Sequence, residues 1–192
     1  MQRLSQVIEA IDQVNASDPN LEPDGTPREL AYSRKMTQML MSFEPEASEL
    51  LQIAARAQHI KRWSIPRDTY PMDRTGYLTW RTKLKKFHGA LTGELMHTCG
   101  YAPEEVHHVD DLLNKRQLKT DTEAQCLEDV TCLVFLSYYF EDFLSKHEAE
   151  QDKVVEILRK TWKKMSSKGH AAALNLQLSE KTSILVKRAL EP

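Results

Sequence analysis

An all-α fold, built as one helical domain, is what three features of the sequence predict. Apolar residues recur at helical spacing nearly throughout, no stretch sustains an alternation of period two, and capping residues, prolines and glycines fall between the periodic segments. With 192 residues, 41% hydrophobic and 28% charged, the chain can bury one sizeable core without disulfides and is too apolar for disorder. The expected organisation is a helix and linker over residues 1–26 and a helical core over 27–192.

Leu4, Val7, Ile8, Ile11 and Val14 form one face of a first helix, which ends before the turn-rich ASDPNLEPDGTP. Thr26 as N-cap, Pro27 in the first turn and Glu29 as a capping-box acid predict a second helix, with Tyr32, Met36, Met39, Leu40 and Phe43 inward. Pro45 opens a third, in which Leu50, Leu51, Ala54 and Ala57 lead to His59. Pro66 and Pro71 then forbid a continuous helix, and Gly76 is expected to permit an unusual turn. A fourth helix is predicted from about Tyr77 to Cys99 and a fifth from Pro103, carrying Val106, Val109, Leu112 and Leu113. The box TDTE at 120–123 introduces the most apolar helix, LEDVTCLVFLSYYFEDFL, expected to be buried. Further helices follow around VVEILRKTWKKM, HAAALNL and TSILVKRAL.

Several function classes drop out. No run approaches the roughly 18 apolar residues of a membrane span, and the N-terminus has no signal-peptide pattern, so a cytoplasmic protein without a membrane partner is expected. Cys99, Cys126 and Cys132 form no CxxC pair and are read as free thiols. Walker, GxGxxG, GxSxG and HExxH motifs are absent.

The formal net charge of -2 hides an asymmetry. Lys61, Arg62, Arg67, Arg74, Arg81, Lys83, Lys85 and Lys86 stand against only Asp68 and Asp73 in residues 61–88, leaving an acidic remainder. A local cationic concentration suits capture of a small anion such as a phosphate, or of one short nucleic-acid feature. In AQHIKRWSIPRDTYPMDRTGYLTWR, residues 57–81, the arginines alternate with Trp63, Tyr70, Tyr77 and Trp80 around His59. Arg67, Arg74, Tyr77 and Arg81 are therefore the candidate phosphate-binding residues. A second basic stripe, Arg159, Lys160, Lys163, Lys164 and Lys168, reads as a solvated helix face. Asp129 lies among Leu127, Val130, Leu133 and Val134; a buried carboxylate needs a partner, and Arg62, Arg81 or a metal shared with His59 are the candidates.

The strings AQHIKRW, IPRDTYPMDRTGYLTWR, KKFHG, LEDVTCLVFL and ILRKTWKKMS resemble a family catalogued as a domain of unknown function (DUF4202), over about Glu29 to Leu190. More distantly, the chain is similar to HD-domain phosphohydrolases, helical enzymes that hold a divalent metal with histidines and aspartates. LEDVTCL resembles their segment with the last aspartate ligand, placing Asp129 there; AQHIKRW places His59 at the dyad histidine; FHGALTGELMHTCGY places His88 on a later helix. Ile60 and Tyr32 stand where that pattern has the dyad aspartate and the first histidine. The resemblance implies an HD-like bundle, His59 and Asp129 as ligands of manganese, iron, zinc or magnesium, and His88 and Arg62 in catalysis on a phosphoester. The expected ligand is a phosphorylated small molecule or nucleotide; the alternative is a non-catalytic module that binds RNA or a nucleotide.

Overall fold

The computed structural model describes residues 2–118, 120–147 and 150–190, and it is all-α: no strand occurs among these residues, apart from one isolated bridge between Leu21 and Pro27. No helix is long and apolar enough to cross a membrane among them. The chain forms two compact units, Met1–Ala124 and Gln125–Pro192.

The first unit contains α1 (Gln2–Asn15), α2 (Arg28–Phe43), α3 (Glu49–Ala57), α4 (Arg74–Thr98) and α5 (Pro103–Asn114). Two 3-10 turns, Arg62–Ser64 and Arg67–Thr69, replace helix in the proline-bearing segment. Helix α3 packs on α1, α2 and α5, and α4 packs on α1 and α5. The apolar spacing read from the sequence faces inward: Val7, Ile11, Met36, Leu40, Leu51, Ile53, Ala54, Ile60 and Met96 are buried. Each fully buried side chain of Leu or Ile size contributes about 1.5–3 kcal/mol. The α1 end is fixed by Arg3, whose guanidinium bonds Glu49 on α3 and both oxygens of Glu105 on α5.

Four local expectations are corrected. Thr26 does not cap α2. Asp18 Oδ2 instead accepts from the Glu29 N–H at 3.0 Å, a cap delivered from across the linker, and the Glu29 carboxylate is released for another role. Helix α3 begins after Ser48, which accepts from the Leu51 N–H, and not at Pro45. Gly76 is no turn residue: it lies in the first turn of α4, capped by Asp73 at 2.7 Å. A Cβ there would sit 2.1 Å from the Pro71 carbonyl oxygen, so the loop can fold onto the helix start only over glycine. Asp121, and not Thr120, caps α6 (Thr122–Val134), through the N–H groups of Glu123 and Ala124.

The second unit holds most of α6, a π turn at Phe135–Tyr139, α7 (Phe140–Lys146), α8 (Gln151–Trp162), α9 (Ser167–Leu174) and α10 (Glu180–Leu190). The predicted apolar helix is thus interrupted once. Leu127, Val130, Leu133, Val134, Phe140 and Leu144 are buried as expected, and α8 packs on α10. Of the three free cysteines, Cys132 is buried while Cys99 and Cys126 are half-buried.

Candidate functional site

Helix α3 ends at Ala57, and Gln58, His59 and Ile60 continue the chain into the irregular segment. Lys61 then adopts φ 51°, a left-handed conformation rare for a residue with a side chain, and its N–H is held by Asn15 Oδ1 at 3.0 Å. This abrupt turn brings Arg62 back beside His59. Opposite them, α4 supplies Arg81, Leu84, Lys85 and His88. Gly89 lets α5 approach: a Cβ there would lie 2.0 Å from Asp110 Oδ1. The C-terminal end of α5 adds Leu113 and Lys115, the latter also left-handed at φ 58°. Two strained lysines flanking one cavity mark a place where the surrounding structure holds the backbone in a costly conformation.

The cavity enclosed by these side chains and Gln58 measures about 20 Å³, room for about one water molecule. Its wall carries Arg62, Arg81, Lys85 and Lys115 and no carboxylate. A wider apolar groove of about 600 Å³, lined by Leu4, Ile8, Asp12, Leu30 and Arg34 among others, also lies in the first unit. Asp12, in its wall, is committed to a bidentate pair with Arg56. The smaller cavity is where polar groups converge.

The hydrogen-bond pattern assigns both histidine tautomers. Arginine can only donate, so Arg62 Nη1, 2.9 Å from His59 Nε2, makes that nitrogen an acceptor. The His59 proton is then on Nδ1, 3.4 Å from Glu29 Oε2. Tyr32 stacks on the same ring at 4.0 Å with 12° between planes. His88 Nδ1 lies 2.8 Å from the Ile60 carbonyl oxygen, which can only accept, so Nδ1 carries the proton and Nε2 has a bare lone pair. That Nε2 is buried and has no hydrogen-bond partner.

Both rings are held neutral. Burial, reinforced by Arg62, His88, Arg81 and Lys115, keeps His59 well below the usual histidine range. Burial pushes His88 down to about 3; the Ile60 carbonyl opposes this, and Arg62 and Arg81 reinforce it. Burial likewise lifts Glu29 to about 7 against the pull of Arg62. Arg62 itself is lowered by burial, with Glu29 acting the other way, and its guanidinium lies 4.8 Å from the Trp80 ring centre.

The expected site residues divide accordingly. His59, Arg62, Arg81 and His88 meet at the cavity. Arg67 is turned onto its own loop, donating to the carbonyls of Tyr70 and Asp73, with its guanidinium 5.9 Å from the Tyr77 and Trp80 rings. Arg74 is exposed in the first turn of α4, and Tyr77 is exposed beside Trp80. Asp129 belongs to the second unit and has its partners there: the Ser166 N–H at 2.8 Å, the Ser166 hydroxyl at 2.5 Å and Gln125 Nε2 at 3.2 Å. The partner sought for this carboxylate among arginines or a metal is thus a helix start, since Ser166 in turn caps α9 through the Gly169 N–H. Lys85 and Lys115 in the wall, and Glu29 and Tyr32 behind His59, were not singled out as site residues by the sequence.

A divalent ion does not fit these donors. His59 Nε2 already accepts from a guanidinium, Asp129 is saturated by hydrogen bonds, and His88 Nε2 faces a wall of cations. No group of three or more His, Cys, Asp or Glu side chains suited to a metal occurs among the described residues.

No curated protein and no solved structure matches the chain. The model of one family, described as Domain of unknown function (DUF4202), matches residues 5–186, and the chain belongs to that family.

Proposed function

We propose that the protein is a binding module for a phosphorylated small molecule or nucleotide, and that the cavity between α3, α4 and α5 receives its phosphoryl group. One observation carries this reading: a wall of Arg62, Arg81, Lys85 and Lys115 without a carboxylate, on a chain of net charge -2. Four cations held together repel one another, and a bound oxyanion relieves that repulsion through charge-assisted hydrogen bonds. Arg81 is half-buried and makes no hydrogen bond or ion pair within the described residues, which leaves its donors for a ligand. His59 Nε2 orients Arg62 by accepting from its guanidinium, and the Glu29 carboxylate lies 3.4 Å from the other nitrogen of that ring. The cavity admits one oxygen of the group, and the rest of the ligand stays at the mouth.

This reading departs from the HD-like metal hydrolase because the donors that a metal would need are occupied. Titration calorimetry with inorganic phosphate and a panel of nucleotides, in chelator, tests it. Binding is expected without added metal, weakened about tenfold or more by Arg81→Glu, the equivalent of losing one charge-assisted contact. Binding that appears only when manganese, iron, zinc or magnesium is added would overturn it in favour of the hydrolase. A short RNA is the second candidate, favoured by the exposed Arg74 and Tyr77 near the start of α4 as a cation and a stacking ring. Affinity for RNA that falls steeply with salt and survives Arg81→Glu would select it.

A further inference from the structure

We infer that the cavity selects an oxyanion that brings its own O–H, as hydrogen phosphate does, and rejects one that is fully ionised, as sulfate is. The inference rests on the phosphate reading above and adds what the ligand's protonation must be: inorganic phosphate keeps one P–OH as its dianion, whereas an esterified phosphoryl group, with a second pKa of about 6, meets the requirement only as its monoanion. Its basis is His88. The Nδ1 hydrogen of this ring is taken by the Ile60 carbonyl, so Nε2 offers only a lone pair, and that lone pair is buried without a partner. A buried polar atom left unpaired costs more than an ordinary hydrogen bond returns, so the position calls for a donor. Every other polar group of the wall is a cationic donor except His59, whose Nε2 already accepts from Arg62, and Gln58, whose Oε1 is a second buried acceptor without a partner and adds to the need for a donor.

The wall therefore asks two things of one ligand: negative oxygens for the guanidinium and ammonium groups, and a hydrogen for His88. Phosphate at neutral pH supplies both, because its dianion keeps one P–OH. Sulfate has the same shape and the same charge but no hydrogen, so it would press an oxygen lone pair against a nitrogen lone pair. In the ligand-free cavity burial, reinforced by the neighbouring arginines, holds His88 neutral, so meeting sulfate by taking up a proton would have to overcome that burial. Size and charge being equal, the ratio of the two affinities isolates the single proton.

The test is calorimetric titration of the whole chain with inorganic phosphate and with sulfate at pH 7.5 and matched ionic strength. Phosphate is expected to bind about tenfold or more tightly than sulfate, the value of one hydrogen bond in a charged, buried setting. His88→Phe is expected to bring the two within about twofold, and His88→Gln, whose carbonyl can accept, to restore part of the gap. Arg81→Ala is expected to weaken both anions and keep the ratio. Equal binding of phosphate and sulfate by the unaltered protein would overturn the inference and leave the phosphate site standing. No binding of either anion would overturn both. The unaltered protein decides between these outcomes, so the result does not depend on the stability of the variants.

Discussion

Glu29 is the residue at which local reading and tertiary structure part. Three residues after Thr26 it fits a capping box, yet Asp18 caps the helix and the carboxylate is buried against His59. Its lift to about 7 has a direct consequence for stability. A carboxyl whose folded value lies above its unfolded one binds a proton more readily in the native state. Its contribution is therefore complete below about pH 4.5 and lost as the pH rises through 7. The two histidines act with the opposite sign. Their depressed values contribute stability above about 6.5, lost as the pH falls toward them. Glu29→Gln keeps an oxygen beside His59 Nδ1 and removes the ionisation. Urea denaturation between pH 5 and 8 is expected to show the variant gaining roughly 2–3 kcal/mol on the parent across that range, the histidine contribution cancelling in the difference. Parallel curves for the two proteins would mean that Glu29 ionises as an ordinary surface carboxylate.

At the scale of elements, α9 shows what the buried Asp129 does. The helix is short, with eight residues, and its start is held by Ser166, itself anchored by both oxygens of Asp129. Asp129→Ala leaves a buried backbone N–H and a hydroxyl without an acceptor and is expected to cost roughly 2–3 kcal/mol in urea denaturation. Ser166→Ala removes the cap at roughly 1 kcal/mol and one of the bonds to Asp129. Because the two side chains form one network, the double variant is expected to lose less than the sum. Strict additivity would mean that the carboxylate acts elsewhere, and a loss of stability on adding a chelator to the parent would restore the metal reading.

The same helices show how far the sequence could be read. Buried Val7, Met36, Leu51, Leu112 and Leu133 were visible because a helix repeats its inward face every three to four residues. The caps were less visible: Asp18 reaches the Glu29 N–H across eleven positions, and Asp121 stands one residue from the expected Thr120. His59, Arg62 and Arg81 stood out by an unusual mixture of types and His88 through the distant HD-domain resemblance, whereas Lys115 enters from the end of another helix and carries no local signal. The rule that a buried carboxylate needs a partner held for Asp129. What composition could not tell is that backbone and hydroxyl groups would serve in place of a cation.

For the whole molecule, the cavity is a cationic island on a chain that is acidic elsewhere. At physiological salt, charges beyond about 8 Å are largely screened, so of the acidic groups only near ones such as Glu29 offset the pull that the four cations of the wall would exert on the proposed ligand. Binding to the native state alone must then stabilise it by mass action. At about a hundred times the dissociation constant the gain is about 2.7 kcal/mol, close to a hundredfold fewer openings. The cavity joins the end of α3, the middle of α4 and the end of α5, so protection should centre on those three segments. Amide hydrogen exchange with and without saturating phosphate is expected to slow at residues 53–62, 80–89 and 109–116, by up to about a hundredfold where exchange needs the first unit to unfold. In Arg81→Glu, titrated with the same phosphate, the slowing of these segments should shrink by about tenfold or more, in step with the weaker binding. Unchanged exchange in the parent at phosphate concentrations shown to saturate it would place the bound anion away from this cavity.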